Sequence, residues 1–344
     1  MKILGKGIIA RATDRRGNYW PTVARLPDGR LAAVWSGGRR NHICPFGRLE
    51  IACSSDEGSR WSLPALLMDT PLDERDGGIL AWGEKVVVTT FNNTRAFQRE
   101  CLAKWPDGRP HGEGELIRAY LETISDEEEA EALGSFVAVG DGDRFSPFVK
   151  VPLTAPHGPV VGGGGELLYI GRAYPYGGGL REGIYCMSSA DGRNWSEPVR
   201  APDAPGGVFL CEPHGFLRRD GGVTVAARAK EGERLTLYFN RYENGKFGQW
   251  RPSGICGAPP HFLRLSDGRV VLTYGRREAP FGIRARVGGD DGPGEEIVLT
   301  EDGESWDLGY PASAELKDGS VLTVWYQCAP GDRLASIFYA KWRP

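Results

Sequence analysis

The sequence predicts an all-β protein that folds as a six-bladed β-propeller. Glycine and proline are abundant, with 49 and 24 residues among 344, as many short strands joined by tight turns require. A strand–turn–strand motif recurs along the chain. Its copies are spaced about 50 residues apart, which is the period of a propeller blade with four strands.

The motif consists of a half-buried strand, an Asp-Gly turn and a second strand rich in Val, Leu, Thr and aromatic residues. Asp-Gly between two such runs predicts a hairpin with a type I′ turn, in which both central residues have positive φ. Four clear copies occupy residues 20–35, 212–228, 259–275 and 310–326, and two weaker copies occupy 75–91 and 155–171. The turn glycines of the six units are Gly29, Gly83, Gly164, Gly221, Gly268 and Gly319.

The two ends of the chain are predicted to close the ring. The last unit stops after one further strand, LASIFYAKW (334–342), so the first strand, ILGKGIIARA (3–12), must supply its fourth. Closure removes exposed sheet edges. We therefore expect a single propeller domain over residues 1–344. The second unit is longer. Its acidic run 125–133 begins with Ser125, which fits a helix N-cap, and predicts a helical excursion over about residues 94–133.

Composition excludes several classes of function and location. The chain is 25% charged with a formal net charge of -3, so no nucleic-acid or membrane partner is expected. The seven cysteines include no CxxC pair, which favours free thiols. The N-terminal apolar run is too short for a signal peptide, so we expect a cytoplasmic protein. The sequence makes no prediction of oligomeric state.

One face of the propeller is predicted to hold the functional site. Each inner strand runs down to its hairpin turn and the second strand returns, so inner strands begin and second strands end on the same face, called the upper face below. Seven residues before the turn glycines stand Thr22, Asp76, His157, His214, His261 and Ala312. Two residues earlier stand Trp20, Glu74, Ala155, Glu212, Pro259 and Tyr310.

Histidines and arginines gather at this face. His157, His214 and His261 share one register, and histidine acts as acid or base near neutral pH. No cofactor is predicted, although three imidazoles could also hold a metal ion. A guanidinium binds carboxylates through two parallel hydrogen bonds, so arginines at the same rim predict an anionic ligand. The rim positions are Arg39, Arg40, Arg172, Arg228, Arg276 and Arg277.

A second repeated motif carries a family resemblance. Residues 54–61, SSDEGSRW, fit the Asp-box S-x-D-x-G-x-x-W, and 188–195 and 300–306 are degraded copies. Together with the six-unit repeat, the whole chain resembles the sialidase (neuraminidase) superfamily, whose propellers carry such repeats. The resemblance implies a glycosidase with an arginine triad for the substrate carboxylate, a tyrosine nucleophile activated by a glutamate, and an aspartate acid/base.

Part of that site maps onto this sequence. Glu212 opens its unit as the family's glutamate does, Arg228 closes the same hairpin as the second arginine does, and Tyr310 stands at the position of the nucleophile. Arg276 or Arg277 matches the third arginine less closely.

Other parts of the family site are replaced. The first arginine falls on Tyr19, and the glutamate that supports it falls near Tyr326. The loop GGRRNHICPFG (37–47) contains no aspartate, and His42 is a candidate for the missing acid.

Three functions remain open from the sequence. The first is a sialidase-like, exo-acting hydrolase of an acidic sugar or oligosaccharide. The second is a histidine-dependent lyase or hydrolase of rhamnose- and uronate-containing oligosaccharides, and the third is a non-catalytic carbohydrate-binding propeller. The candidate catalytic residues are Tyr310, Glu212, His214, His157 and His261. The candidate substrate-binding residues are Arg228, Arg276, Arg277, Arg40, Arg172, Tyr19, Trp20 and Asp76.

Overall fold

Six small antiparallel sheets form a ring, which confirms the six-bladed propeller. The structure is a computed structural model that describes residues 1–104, 113–177 and 179–344. The first three blades follow the N-terminal strand β1 (Lys2–Ala10). Blade 1 consists of β2 (Gly17–Arg25), β3 (Leu31–Arg39), β4 (Arg48–Ser54) and β5 (Ala65–Met68). Blade 2 consists of β6 (Arg75–Trp82), β7 (Lys85–Phe91), β8 (Ser135–Gly140) and β9 (Val149–Val151). Blade 3 consists of β10 (Leu153–Thr154), β11 (Val160–Val161), β12 (Leu167–Ala173), β13 (Ile184–Ser189) and β14 (Val199–Arg200).

The remaining three blades complete the ring. Blade 4 consists of β15 (Phe209–Leu217), β16 (Val223–Glu231), β17 (Arg234–Glu243), β18 (Lys246–Phe247) and β19 (Arg251–Cys256). Blade 5 consists of β20 (Pro260–Arg264), β21 (Val270–Arg276), β22 (Gly282–Gly288) and β23 (Glu296–Thr300). Blade 6 consists of β24 (Gly309–Glu315), β25 (Val321–Cys328) and β26 (Ala335–Arg343). Strand β1 pairs antiparallel with β26 as the fourth strand of the last blade, with Lys2 opposite Arg343. The predicted closure of the ring by the N-terminal strand is therefore confirmed.

The core lies between the blades. The second strand of a blade is covered on both faces by its neighbours, so its sequence is a nearly continuous apolar run rather than an alternating one. Strands β3 and β25 show this burial along almost their whole length, and their Trp35 and Trp325 are at most 1% exposed.

The Asp-Gly hairpins differ from the predicted turn type. In the first hairpin the Gly29 N–H donates to the Leu26 carbonyl (2.9 Å), and the Leu26 N–H donates to the Arg30 carbonyl (2.8 Å). Gly29 has φ 87°, whereas Asp28 does not adopt positive φ. This is a three-residue loop, a type I turn followed by a left-handed glycine, so the type I′ prediction is wrong.

The Asp28 side chain shows why the aspartate still recurs. Its Oδ1 accepts a hydrogen bond from the Arg30 N–H (2.9 Å), and Asp267 and Asp318 do the same two residues ahead. In the third blade the positive-φ glycine is Gly165 (φ 82°) rather than the predicted Gly164.

Among the described residues, three helices lie between β7 and β8, within the predicted excursion. They are α1 (Arg95–Lys104), α2 (Gly114–Leu121) and α3 (Asp126–Ala132). The predicted cap of α3 is present, because the Ser125 Oγ accepts from the Glu128 N–H (3.1 Å) and the Glu128 carboxylate accepts from the Ser125 N–H (2.8 Å). Residues 105–112 of the excursion lie outside the described residues.

The motif at 54–61 forms a tight turn held by its own side chains. Asp56 Oδ1 accepts from the backbone N–H groups of Ser59 (3.0 Å) and Arg60 (2.8 Å), and Ser54 Oγ accepts from that of Gly58 (2.9 Å). All seven cysteines are free, three of them buried. Over the described ranges, no helix has the length and apolar character needed to span a membrane.

Candidate active site

Four inner strands contain, near their start, a residue in the left-handed region of φ. These residues are Trp20, Asp76, Glu212 and Tyr310, with φ of 51°, 47°, 51° and 51°. At each one the pairing with the next strand slips, which marks a bulge and re-aims the side chain. Such a conformation costs a non-glycine residue about 1–3 kcal/mol and is concentrated at functional sites. Three of the four side chains line one pocket.

The pocket corrects the predicted register of the second blade. Alignment on the turn glycines placed Asp76 with the histidines and Glu74 with Glu212, but the structure places Asp76 with Glu212. The cause is a shorter hairpin, since Trp82 pairs directly with Lys85. Glu74 is fully buried and does not line the pocket.

Tyr310 and Glu212 form the centre of the site. The Tyr310 hydroxyl donates to Glu212 Oε1 (2.6 Å), and the Arg228 Nη1 donates to both carboxylate oxygens of Glu212 (2.9 and 3.0 Å). The three residues come from blades 6 and 4, with Glu212 and Arg228 on facing strands at the open end of the β15–β16 hairpin. The structure thus brings together the three residues that the family resemblance selected.

The charges around this pair set its protonation. Burial favours the neutral form of Glu212, but attraction to Arg228 and Arg277 and the Tyr310 hydrogen bond outweigh it, so the pKa of Glu212 is lowered. Burial and the nearby charges of Glu212 and Asp76 raise the pKa of Tyr310 well above 10. At neutral pH the resting state is therefore a tyrosine hydroxyl bound to a carboxylate, which is a nucleophile beside its base.

The pocket beside this pair has a volume of about 230 Å³. Asp76, Glu212 and Tyr310 line it together with Arg75 and Arg172. The other lining residues are Ile43, Phe91, Asn93, Phe97, Thr154, Ala155, Pro156, Pro175, Tyr176 and Cys211. Phe97 belongs to α1, so the helical excursion forms part of the wall.

Asp76 is a buried carboxyl in the wall of the pocket. Its Oδ1 has no hydrogen-bond partner among the described residues. Burial and the charge of Glu212 raise its pKa to about 7, although Arg75 opposes the shift. Asp76 is therefore half protonated near neutral pH, and it can either donate or accept a hydrogen bond there.

Some of the predicted arginines lie at the pocket or beside the Tyr310–Glu212 pair, and the others lie away from both. Arg172 lines the pocket, and its buried Nε has no hydrogen-bond partner in the described chain. Arg277 lies 5.4 Å from the Tyr310 ring, and Arg228 holds Glu212. Arg40 pairs instead with Glu113 (2.8 Å), and Arg276 does not line the pocket.

Tyr19 and Trp20 are buried rather than exposed to a ligand, each only 1% exposed. The guanidinium of Arg75 lies 3.8 Å from the Trp20 ring and that of Arg39 4.4 Å from it. Asp73 pairs with both arginines. The position that the family's first arginine would occupy is thus filled by packed aromatic rings, beside two arginines that share the carboxylate of Asp73.

The three histidines lie together, as their shared register predicts, but in a different cavity. The ring centroids of His214 and His261 are 4.5 Å apart, and His157 is 5.7 and 5.0 Å from them. They line a cavity of about 700 Å³ on the turn side of the ring, which also contains Lys317 and Gly319. Called the lower cavity below, it does not include Tyr310 or Glu212.

Hydrogen bonds to other blades occupy the Nδ1 atoms of these histidines. His214 accepts from the Phe262 N–H (2.9 Å) and His261 from the Ser313 N–H (3.4 Å), while His157 contacts Thr22 Oγ1 (2.9 Å). Burial lowers the pKa of all three below 6.5, to about 3 for His214, so they are uncharged at neutral pH. In the described part of the chain, no group of three histidine, cysteine or acidic residues could hold a metal ion.

Two residues of the upper face, Arg75 and Asp307, were not selected from the sequence, and Tyr326 was noted only as lying near the position of the family's glutamate. Arg75 lines the pocket, Asp307 contacts His42, and Tyr326 donates to Asp307 (2.8 Å). Arg75 and Asp307 stand just before Asp76 and Tyr310 in the chain. A search of the residues at and just before each strand start would have found both.

Comparisons with known proteins bear on the fold. A scan of protein-family models and a search of curated sequences both find no match. Among solved structures, the chain is similar to a protein of unknown function from Dyadobacter fermentans, with a TM-score of 0.77, 23% identity, and 99% of this chain and 98% of that chain covered.

Two further solved structures are enzymes. The leech intramolecular trans-sialidase gives a TM-score of 0.68 at 14% identity, over 100% of this chain and 70% of that one. The α-L-arabinofuranosidase from Fusarium graminearum gives 0.65 at 10% identity, over 100% and 98%. The chain therefore shares the six-bladed propeller fold of solved sialidases and other glycoside hydrolases.

Proposed function

We propose that this protein is a glycoside hydrolase that removes a terminal acidic sugar, with Tyr310 as nucleophile and Glu212 as its base. The observation that carries the proposal is the 2.6 Å hydrogen bond from the Tyr310 hydroxyl to Glu212, beside a pocket and supported by Arg228. The fold shared with sialidases and an arabinofuranosidase supports the same class of reaction.

The geometry provides a way to activate a weak nucleophile. As Tyr310 attacks the anomeric carbon, its proton moves along the existing hydrogen bond to Glu212. The negative charge that develops on the tyrosine oxygen as its proton leaves is stabilised by Arg277 near its ring, while Arg228 holds Glu212 in place to receive the proton. Neither arginine has to move, because both are already hydrogen-bonded in place.

The pocket favours one terminal sugar residue. Its volume of about 230 Å³ lies below the roughly 300–1,000 Å³ of sites for larger ligands, and Phe97 of α1 contributes to its wall. Arg172 supplies a cation with an unpaired Nε for a sugar carboxylate. Asp76, which can donate or accept, fits a sugar hydroxyl.

The two alternatives receive less support. A lyase that uses His157, His214 or His261 would need them in the pocket, whereas they line the lower cavity with their Nδ1 atoms engaged. A purely sugar-binding propeller gives no reason for a tyrosine held against a carboxylate in a pocket.

The test is hydrolysis of a panel of sialosides, uronosides, rhamnosides and arabinofuranosides by the wild type and by Tyr310→Phe. We expect the variant to lose about 10³-fold or more in kcat, as when a covalent nucleophile is removed. Tyr238→Phe is a matched control, because Tyr238 also donates to a glutamate (Glu231, 2.6 Å) but lies outside the pocket. Full activity of Tyr310→Phe, or hydrolysis of no member of the panel by the wild type, would overturn the proposal.

A further inference from the structure

A second polar cluster, made of His42, Asp307 and Tyr326, lies near Tyr310 on the upper face, and the reaction described above uses none of these three residues. The Asp307 carboxylate is 3.2 Å from His42 Nδ1 and accepts a hydrogen bond from the Tyr326 hydroxyl (2.8 Å). Arg277 donates to the Tyr326 oxygen (3.2 Å) and also lies over the Tyr310 ring. The ring centroids of Tyr326 and Tyr310 are 5.9 Å apart.

His42 is held from several sides. Its imidazole meets the Trp20 ring edge-on at 5.2 Å, and Trp20 in turn lies 6.3 Å from Tyr310. The His42 carbonyl accepts hydrogen bonds from Arg39 (2.8 Å) and Arg75 (2.9 Å), which fix the loop that carries it. The imidazole therefore has a defined orientation, and Trp20 contacts both it and the Tyr310 ring.

His42 also remains accessible. Its side chain is 18% exposed, and it borders the pocket through the next residue, Ile43, without lining the pocket itself. The contact of Nδ1 with Asp307 fixes the tautomer and leaves Nε2 as the nitrogen that can exchange a proton with a ligand. A histidine oriented by a carboxylate in this way is the arrangement that general acid–base catalysis uses on unrelated folds.

We infer that His42 is the acid and base of the glycosidic step, with Asp307 as its positioning residue. The inference rests on the proposed function of Tyr310. It identifies the group that does the work of the aspartate missing from the loop 37–47, and it places that group in the His42–Asp307 pair rather than among the histidines of the lower cavity.

The proposed steps balance as follows. The Tyr310 oxygen bonds to the anomeric carbon as its proton passes to Glu212, the bond to the leaving oxygen breaks, and that oxygen keeps the electron pair and takes a proton from the His42 imidazolium. Water then attacks the anomeric carbon and gives a proton to neutral His42. The bond to Tyr310 breaks, and the tyrosine recovers its proton from Glu212. The sum is glycoside plus water to sugar plus alcohol.

The test compares two leaving groups on the sugar that the wild type hydrolyses. A methyl glycoside needs a proton on its departing oxygen, whereas a 4-methylumbelliferyl glycoside leaves as a stabilised phenolate. We expect His42→Asn to lower kcat/KM for the methyl glycoside by about 10²–10⁴-fold and for the aryl glycoside by less than about tenfold. Asparagine keeps a donor toward Asp307, so the loop stays anchored. His214→Asn is the control and should affect both substrates equally.

Asp307→Asn tests the positioning role. Burial lowers the pKa of His42, and the charges of Arg75 and Arg39 lower it further. The Asp307 carboxylate opposes this shift. Without the carboxylate the pKa of His42 falls further. As the pH rises, the imidazolium is then lost earlier, so the activity on the methyl glycoside should begin to decline at a lower pH than in the wild type. An unmoved pH profile would contradict that role.

The two proposals fail in different ways. An equal loss on both leaving groups in His42→Asn, with Tyr310→Phe inactive, would overturn the role of His42 and leave that of Tyr310 standing. Full activity of Tyr310→Phe would overturn both.

Discussion

The upper pocket and the lower cavity lie on the two sides of one propeller ring, and both collect titratable side chains from the inner strands. In the upper pocket, bulged residues hold a tyrosine against a carboxylate and leave an Asp76 oxygen and the Arg172 Nε unpaired. In the lower cavity, the Nδ1 of each histidine is already bound to another blade. Unpaired polar atoms occur on both sides, since the buried His157 Nε2 also has no hydrogen-bond partner among the described residues. The tyrosine–carboxylate pair, rather than unused hydrogen-bonding capacity, therefore distinguishes the upper pocket from the lower cavity.

The largest loss of activity is expected from a substitution of Glu212 in the upper pocket. We expect Glu212→Gln to lower kcat about 10²–10⁴-fold, because the amide cannot take the proton of Tyr310. Steady-state kinetics on the best substrate of the panel measures this. Glu231→Gln, which alters the tyrosine–glutamate pair outside the pocket, should leave kcat unchanged. A smaller loss in Glu212→Gln than in Glu231→Gln would remove the distinction between the two pairs.

The lower cavity should respond in stability rather than activity. His214→Phe leaves the buried Phe262 N–H without its acceptor, at a cost of about 1–3 kcal/mol. We expect a lower Tm and a kcat within about threefold of wild type. His214→Asn, whose Oδ1 can accept that hydrogen bond, should recover part of the Tm. A large loss of activity at unchanged Tm would assign His214 to catalysis after all.

The same histidine predicts a dependence of stability on pH. Burial lowers the folded-state pKa of His214 to about 3, whereas its unfolded value is near 6.5. The neutral form stabilises the fold above pH 6.5, and this contribution is lost as the pH falls from 6.5 toward 3, by up to about 1.4 kcal/mol per pH unit. Urea unfolding at pH 7 and pH 5 should therefore show a smaller difference for His214→Phe than for the wild type.

Asp76 should give the smallest effect. Asp76→Asn keeps a neutral group of the same shape, so we expect KM to rise by less than about tenfold while kcat changes little. Because the pKa of Asp76 is about 7, the wild-type KM should change between pH 6 and pH 8, and that of Asp76→Asn should not. A change confined to kcat would point to a role in the chemical steps instead.

The fold could be predicted from the sequence because the repeats, the hairpins and the closure of the ring each follow from short patterns of neighbouring residues. Gly29 and Asp28 mark a turn whichever type it is, and LASIFYAKW leaves a blade that only the first strand can complete. The site was less accessible. A hairpin shortened at Trp82 shifted Asp76 out of its register, and the histidines, which lie closer to the hairpin turns than the bulged residues do, line the lower cavity instead of the pocket.

Other members of the site were hidden for a related reason. Asp307 and His42 are 265 residues apart in the chain and meet only when blades 1 and 6 close the ring. No local pattern marks such a contact. By contrast, Glu212, Arg228 and Tyr310 could be selected from the family resemblance because each opens or closes a hairpin.

The central claim is that Tyr310 carries the sugar during the reaction. The most direct measurement is mass spectrometry of the protein quenched in acid during reaction with a fluorinated glycosyl fluoride of the preferred sugar, followed by proteolysis. The account predicts a mass increase of one fluorinated sugar on the peptide that contains Tyr310, and none in Tyr310→Phe. Turnover of the reagent with no labelled peptide, or a label on any other residue, would contradict it.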